Sequence, residues 1–273
     1  MMPYNVPDVP RPNKFQKWLL LASISIVRRF RNRTGSVLML TSDLCVKYGS
    51  RLDVVEAQTM LFIAKHTSIP VPKIYFAFTD EECTYILMER IHGHSASRGW
   101  VRRSDASKQR VLEALKKMVL EMRGLISQSN AICSVSGGSL YDMRIPMNTR
   151  RFGPFDNVQE FHNHLRNGKQ TSSNSCDEYL RLFELHSHDW SSPTFTHGDL
   201  SSLNILVRGD DVVGIIDWET AGWYPPYWEY TTACQVNPRN PFWRDEIEKF
   251  LEEMPEALEM DQLRQKYFGD WFG

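Results

Sequence analysis

Apolar and polar positions divide the chain into a part with a strand-like pattern and a part with a helical pattern. From Val37 to Met88, short apolar or β-branched segments are separated by polar residues, and one helical stretch covers Leu52 to His66. This pattern predicts a small sheet with one helix. After Gly93, apolar residues recur at helical spacing, at Val111, Leu115, Met118, Met122 and Leu125. We therefore predict an α+β protein whose second part is mainly helical.

Composition and charge narrow the class of protein. The 273 residues are 42% hydrophobic and 24% charged, which is typical of a globular protein able to bury a core. The formal net charge of −1 gives no overall field toward nucleic acid. The five cysteines are scattered and include no Cys-x-x-Cys pair, so we expect reduced thiols rather than a zinc site or a disulfide framework.

Residues 1–34 carry seven basic residues and one acidic residue, Asp8. We expect a helix that starts near Asn13, packs its Leu and Ile face on the body of the protein and leaves its charges in solvent. Attraction to a membrane surface is the alternative for this segment. The apolar run Trp18–Val27 is too short to span a bilayer, and the first residues lack a signal-peptide pattern, so we expect a cytoplasmic protein.

A β-hairpin is predicted shortly after residue 200. The apolar runs Leu203–Val207 and Val212–Ile216 flank Arg-Gly-Asp-Asp, and Gly209 at the first central position suits a two-residue type II′ turn. This turn sets the register of the strands and is expected to place Asn204 opposite Ile215.

Three oxygen-bearing side chains surround this hairpin. Asp199 lies in the loop five residues before Asn204, and Asp217 follows the second strand as an expected diagonal neighbour of Asn204. Carboxylate and amide oxygens are the ligands that suit Mg²⁺, and this spacing is used for phosphoryl transfer. The alternative is structural, with Asp199 capping a turn, Asn204 starting a strand and Asp217 ending one. His197 is interpreted as a hydrogen-bonding brace of the loop rather than a general base.

Two charged residues of the first part stand in apolar surroundings. Lys47 lies within the strand pattern Leu-Cys-Val-Lys-Tyr, and Glu56 shares a helix face with Leu52, Met60 and Ile63. A buried charge is costly unless it is paired, so we expect Lys47 and Glu56 to form an ion pair. The alternative is that Lys47 extends to water and Glu56 lies at the rim.

Several segments together resemble a known family. In chain order they are VKYG, VVEAQTMLFIAKHTSIPVPKIY, YILMERIHG, HGDLSSLNIL and GIIDWETAGWYPPYWEY. The chain is similar to the aminoglycoside phosphotransferase and choline kinase-like family, particularly its fungal-type members, over the span from Gly35 to Tyr230. The resemblance implies a two-lobed protein-kinase-like fold, with a small lobe of antiparallel strands and one helix, a larger helical lobe, and ATP between them. The corresponding expected divisions are a basic helical extension at 1–34, a nucleotide-binding lobe at 35–91 and a helical lobe with the catalytic loop and metal site at 92–273.

The same resemblance implies roles in catalysis and metal binding. Asp199 would be the catalytic base, and Asn204 and Asp217 would be the magnesium ligands.

For the nucleotide, the resemblance implies that Lys47 contacts the phosphates and is positioned by Glu56. The main chain of Glu89 and Ile91 would meet the adenine. Before Lys47 the chain lacks the Gly-x-Gly-x-x-Gly pattern and offers only Gly35 to bend over the phosphates.

The acceptor is expected to be a small molecule with a hydroxyl group. Seven residues separate Asp217 from Pro225 and no Ala-Pro-Glu follows, which leaves no room for a phosphorylated activation segment. The aromatic residues Trp223, Tyr224, Tyr227 and Trp228 are expected to pack in the core, with an acceptor pocket as the alternative. We thus predict an ATP- and Mg²⁺-dependent phosphotransferase with no nucleic-acid partner and no membrane contact. The alternatives are a catalytically inactive nucleotide-binding pseudokinase or scaffold, and a membrane-surface adaptor that uses the basic N-terminal segment.

Overall fold

The computed structural model describes residues 5–31, 33–127, 129–145, 151–235, 238 and 240–269. Its strands are β1 (Val37–Met39), β2 (Leu44–Gly49), β3 (Ile74–Asp80), β4 (Cys83–Glu89), β5 (His94–Ser95), β6 (Thr194–Thr196), β7 (Ile205–Arg208), β8 (Asp211–Ile215) and β9 (Gly222–Tyr224). Its α-helices are α1 (Lys14–Val27), α2 (Val54–His66), α3 (Asp105–Arg123), α4 (Val158–Leu165), α5 (Asp177–Ser187), α6 (Trp228–Cys234) and α7 (Pro255–Phe268). Its 3₁₀ helices are Trp100–Arg102, Trp218–Thr220 and Pro241–Lys249.

The chain forms two compact units. Of the described residues, those in 6–114 and 202–219 form the N-terminal unit, and Asn5 with those in 115–201 and 220–269 form the helical unit. The hairpin of β7 and β8 therefore belongs to the N-terminal unit, although it follows most of the helical unit in sequence. The functional divisions expected at residues 34 and 91 stay a prediction.

The N-terminal unit contains the predicted sheet with its one helix. The four strands of this sheet pair in the order β1-β2-β4-β3, and all pairs are antiparallel. Helix α2 begins after Asp53, whose side chain accepts a hydrogen bond from the Val55 N–H and thereby caps the helix. Leu38, Val46 and Phe76 form a buried cluster of this unit, and burial of each such side chain stabilises the fold by about 1.5–3 kcal/mol.

Helix α1 starts where the sequence predicts. Asn13 and Gln16 form a reciprocal capping box, with hydrogen bonds of 2.9 Å in both directions. Leu20 and Ile24 are buried in the cluster just described, so the expected packing of a Leu and Ile face is confirmed for these two residues. Within the predicted 1–34 extension, residues 1–4 and Asn32 lie outside the described residues.

The hairpin forms as predicted at its turn but not at its open end. Gly209 has a left-handed φ of +62°, as a type II′ turn requires. Between Leu206 and Val207 the register shifts, because a β-bulge places one more residue on β8. As a result Ile205 pairs with Ile215, and the predicted pairing of Asn204 with Ile215 is wrong.

The helical unit has a large aromatic core. Its buried residues include Trp223, Tyr224, Tyr227 and Trp228, which confirms the predicted core packing. The rings of Tyr224 and Trp228 stack with centroids 5.4 Å apart, and Phe161 meets Trp228 edge-on at 5.1 Å. In the connection at 128–155, Ile132 forms an isolated bridge with Phe155, and Gln128 and residues 146–150 lie outside the described residues.

None of the five cysteines is joined in a disulfide in the described part of the chain. Over the described ranges, none of the helices combines the length and the apolar character needed to cross a membrane.

Candidate active site

Lys47 projects from the middle of β2, where it pairs in register with Ile86 of β4. Its side chain is almost completely buried, and its Nζ donates a hydrogen bond of 2.8 Å to Glu56 Oε1. Glu56 lies in the first turn of α2 and is also buried. The predicted ion pair is therefore confirmed, and it compensates the cost of placing each charge in an apolar environment.

Lys47 also contacts two acidic residues that follow β8. Its Nζ donates to Asp217 Oδ1 at 2.6 Å and lies 3.4 Å from Glu219 Oε2. Burial alone would lower the pKa of Lys47, but the nearby carboxylates, Glu56 first, outweigh this effect and raise it. Burial raises the pKa of Glu56 to about 7 even though Lys47 opposes the shift. The ammonium group of Lys47 thus interacts with three carboxyl groups.

Asp217 has an unusual backbone conformation. Its φ is +68°, in the left-handed region that costs a non-glycine residue about 1 kcal/mol, although Asp tolerates it better than most residues. The chain then enters the 3₁₀ turn Trp218–Thr220, and the Trp218 indole donates a hydrogen bond of 2.9 Å to the Ile215 carbonyl. This local turn directs the Asp217 carboxylate to Lys47.

The acidic residues around Lys47 form a set of ligands that fits a divalent cation. Glu56, Asp217 and Glu219 each offer a carboxylate oxygen, and these atoms lie within 4.8 Å of one another. Glu56 Oε2 is buried and has no hydrogen-bond partner among the described residues. Three carboxyl groups against one ammonium leave negative charge that Mg²⁺, which binds hard oxygen ligands, would neutralise. Asp217, one of the two predicted magnesium ligands, belongs to this acidic set, so it fits the ion that the sequence predicts, while Glu56 is held by Lys47.

Asn204 immediately precedes β7 and is buried. Its main-chain carbonyl accepts a hydrogen bond of 3.0 Å from the Ile216 N–H. Because of the bulge, Asn204 lies opposite Ile216, which immediately precedes Asp217. The predicted register placed Asn204 opposite Ile215, one residue farther from Asp217. Its role as a metal ligand stays a prediction.

Glu89 and Ile91 lie at and just beyond the end of β4. The Glu89 N–H donates a hydrogen bond of 2.9 Å to the Lys73 carbonyl, whereas the Ile91 N–H has no partner among the described residues. The Ile91 side chain packs on Gly214, where an added Cβ would lie 2.5 Å from Ile91 Cδ1. Packing against Gly214 thus holds Ile91 in the segment that is expected to meet adenine. Its main-chain N–H is available to donate a hydrogen bond to the base.

In the helical unit, the loop that carries Asp199 is held through its main chain. His197 is buried, its Nδ1 accepts a hydrogen bond of 3.1 Å from the Asp199 N–H, and its carbonyl accepts one of 2.9 Å from Thr220 Oγ1. The Leu200 carbonyl accepts a hydrogen bond of 3.0 Å from the Trp243 indole. The interpretation of His197 as a brace is confirmed, because its Nδ1 lone pair is used within the loop.

A completely buried carboxyl group supports the same loop. Glu229 of α6 accepts main-chain hydrogen bonds from His197 at 2.7 Å and from Gly198 at 3.0 Å. Burial raises the pKa of Glu229 to about 7, although these two hydrogen bonds favour its ionised form. Gly198 has a φ of +80°, and an added Cβ would lie 3.1 Å from the Thr220 carbonyl oxygen, so only glycine fits here without strain.

The Gly198 carbonyl is held from the other side by Arg144, whose guanidinium donates to it. Arg144 forms a two-point ion pair with Asp142 at 2.7 and 2.6 Å, and the Asp142 side chain is buried. Every residue from His197 to Leu200 thus has at least one main-chain group fixed by a side chain, which restricts where the Asp199 carboxylate can lie.

The sequence profile of the phosphotransferase enzyme family (APH) matches residues 55–264, more than half of the chain. The chain belongs to this family. A search of curated protein sequences finds no matching relative.

Solved structures show the fold of this phosphotransferase-family protein. A thermostable mutant of aminoglycoside phosphotransferase APH(4)-Ia, in ternary complex with ADP and hygromycin B, aligns with a TM-score of 0.58 at 13% identity, over 89% of this chain and 87% of that one. The streptomycin-ATP-APH(2'')-IIa ternary complex aligns with a TM-score of 0.55 at 13% identity, over 93% and 87%. The aminoglycoside-3'-phosphotransferase of type VIII aligns with a TM-score of 0.52 at 16% identity, over 90% and 99%. The predicted α+β, protein-kinase-like fold is confirmed.

Sequence reasoning missed several supporting residues of this phosphotransferase-family protein. Glu229 stands in the aromatic segment Pro-Pro-Tyr-Trp-Glu-Tyr, and a carboxylate among buried aromatics is the same signal that identified Glu56. Glu219 lies two residues after Asp217, which is too common a spacing to be informative. Asp142 and Arg144 lie in a Ser- and Gly-rich connection and have no local signal.

Proposed function

We propose that this protein transfers the γ-phosphoryl group of ATP to a hydroxyl group of a small molecule, with Mg²⁺ as the metal. The observation that carries the proposal is the buried Lys47, which is held by Glu56 and bonded to Asp217. Membership of the phosphotransferase enzyme family supports it. So do the fold relatives, whose structures contain ADP with hygromycin B or ATP with streptomycin.

Lys47 is proposed to bind the phosphates of ATP. Glu56 holds the ammonium group from behind, so little side-chain freedom is lost when the nucleotide binds. Asn204 and Asp217 would hold the metal, which when bound neutralises phosphate charge and offsets the charge that develops during transfer. Glu219 is close enough to Lys47 to replace Asp217 as its second partner when Asp217 binds the metal.

Asp199 is proposed to accept the proton of the acceptor hydroxyl. Phosphoryl transfer depends mostly on positioning and electrostatic stabilisation, and a proton acceptor must be held in one place to contribute. This rigidity comes from the main-chain hydrogen bonds that Glu229 accepts from His197 and Gly198 and from the one that Arg144 donates to the Gly198 carbonyl. The main chain of Glu89 and Ile91 is proposed to bind adenine, with the Ile91 N–H as donor.

A small acceptor is supported by the chain after Asp217. The seven residues before Pro225 include the 3₁₀ turn Trp218–Thr220 and strand β9, which pairs with β6. Regular structure occupies this segment, so it offers no extended loop for docking a protein substrate.

The test is a screen of hydroxylated metabolites with γ-labelled ATP and Mg²⁺, using the wild-type chain and the Asp199→Asn variant. Transfer of label to an acceptor, lost in the variant, would establish the reaction. The Asp156→Asn variant changes an exposed acid of the same unit and should keep activity. Nucleotide binding without either transfer or slow ATP hydrolysis would contradict the proposal and indicate the scaffold alternative.

A further inference from the structure

Helix α1 has a second apolar face that no part of the described chain covers. Phe15, Trp18, Leu19 and Ile26 are 66%, 63%, 48% and 58% exposed. Their positions follow helical spacing, so they form one stripe on the side of the helix opposite the buried Leu20 and Ile24. We call these four residues the α1 stripe. The rings of Phe15 and Trp18 stack within it, with centroids 6.2 Å apart.

The α1 stripe differs from the expectation for residues 1–34, which was a helix with a single apolar face packed on the body of the protein. One apolar face of α1 packs on the sheet as expected, but the helix is apolar on two sides. A soluble protein rarely exposes large aromatic and aliphatic side chains in a continuous row unless that row has a partner. Phe30, which is 82% exposed, continues the apolar surface in the turn after the helix.

The basic residues of the segment fall into two groups. Three have partners within the protein: Lys17 pairs with Asp80 at 2.7 Å, Arg31 donates to the Met39 carbonyl at 3.2 Å, and Arg33 donates to the Tyr48 carbonyl at 2.6 Å.

The other group consists of Arg11, Lys14, Arg28 and Arg29, which are all exposed. Their side chains have no acidic or hydrogen-bonding partner among the described residues. Arg11 and Lys14 flank one end of the α1 stripe, and Arg28 and Arg29 flank the other. An exposed apolar stripe with unpaired positive charges at both ends is complementary to a surface that has a negatively charged outer layer over an apolar interior.

We propose that the α1 stripe binds the surface of an anionic lipid membrane. The fourteen residues of α1 span about 21 Å, less than the roughly 30 Å of a bilayer core, so the helix would lie in the interface rather than cross it. Trp18 and Phe15 are the residue types that insert at the level of the headgroups, and the four arginine and lysine side chains would contact lipid phosphates and carboxylates.

A second copy of the chain is the less favourable occupant. In a symmetric dimer built on this face, the same basic residues would approach each other from both copies, and no acidic side chain of the stripe would offset their repulsion. Anionic lipid supplies the missing negative charge. The proposal does not depend on the phosphotransferase reaction.

The test is co-sedimentation of the full chain with vesicles of phosphatidylcholine alone and with vesicles containing about one part phosphatidylserine to three of phosphatidylcholine. We expect binding to the anionic vesicles that weakens as salt is added, and little binding to phosphatidylcholine. The Arg28→Glu/Arg29→Glu variant should bind at least about tenfold more weakly, since each basic residue near the surface contributes about 1 kcal/mol. Equal binding to both vesicles, or none, would overturn the proposal.

Matched variants on α3 serve as controls. Lys116→Glu/Lys117→Glu reverses two exposed charges, and Leu120→Ser replaces an apolar side chain that is 60% exposed. Both should bind like wild type, whereas Phe15→Ser/Trp18→Ser should lose most binding. Thermal unfolding midpoints close to wild type would show that this double variant is folded.

A conservative variant keeps the test decisive if the double variant does not fold. Brominated lipid should quench the fluorescence of Trp18, so Trp18→Phe should retain binding and lose most of the quenching. Undiminished quenching in Trp18→Phe would place another tryptophan at the membrane and refute the assignment. A dimer that dissociates in Phe15→Ser/Trp18→Ser, without vesicle binding by wild type, would assign the stripe to a second copy instead.

Discussion

Lys47 donates a hydrogen bond of 2.6 Å to Asp217, a residue 170 positions away in the sequence. The two belong to different parts of the predicted chemistry, because Lys47 is assigned to the nucleotide phosphates and Asp217 to the metal. Their contact joins the sheet to the hairpin within one compact unit.

Asp217→Ala is expected to abolish Mg²⁺-dependent ATP binding. The substitution removes a proposed metal ligand but leaves the Lys47–Glu56 pair, so the chain should still fold. Titration calorimetry with ATP, with and without Mg²⁺, measures the effect. Asp211→Ala removes an exposed acid from the same hairpin and should bind like wild type. Normal affinity of Asp217→Ala in the presence of metal would argue against the metal assignment.

Asp199→Asn is expected to lower kcat about 10²–10⁴-fold while nucleotide affinity changes little. The amide keeps the size of the side chain but cannot accept the hydroxyl proton. Steady-state kinetics with an identified acceptor, together with ATP calorimetry, separates the two effects. Turnover equal to wild type would refute the role of Asp199 as base.

Glu229 should make the unfolding free energy depend on pH. Because burial raises its folded-state pKa to about 7 from the ordinary value of 4.5, its contribution to stability is fully present below pH 4.5 and is lost as pH rises through 7. Urea unfolding of wild type and Glu229→Gln at several pH values isolates this contribution. The stability of wild type relative to the variant should fall by about 3 kcal/mol between about pH 4.5 and 7.

Glu248→Gln provides a control of opposite sign. The hydrogen bond from Arg244 lowers the pKa of Glu248, so its contribution to stability is present above pH 4.5 and is lost as pH falls through the folded-state pKa. The stability of wild type relative to this variant should therefore rise with pH. If the Glu229→Gln difference were independent of pH, the assignment of a buried, weakly acidic Glu229 would be wrong.

Gly214→Ala is expected to destabilise the protein by about 1–3 kcal/mol, because the new Cβ would lie 2.5 Å from Ile91 Cδ1. Denaturant unfolding measures the change. Gly49→Ala is the control, since an added Cβ there meets no atom within 4 Å. Ile91→Val removes the clashing methyl group and should recover part of the loss in the double variant. Additive effects of the two substitutions would show that they do not share this contact.

The sequence by itself determined the local elements and one ion pair between a strand and the following helix. Strand patterns, the Asn13 cap, the Gly209 turn and the helical stripe of α3 depend on residues close in the chain, so local pattern was sufficient. Lys47 and Glu56 could be paired because each was a charge in an apolar setting, and the cost of an unpaired buried charge is large. The family motifs gave Asp199 and Asp217 their expected roles.

Only the tertiary structure decided how these residues are held. The bulge that moves Asn204 out of register appears only in the pairing of β7 with β8, and the contacts of Glu229 and Arg144 with the Asp199 loop join residues 31 and 54 positions apart. The exposure of the α1 stripe follows from which of two apolar faces meets the sheet. Such choices depend on burial and contacts between distant segments, and local spacing does not record them.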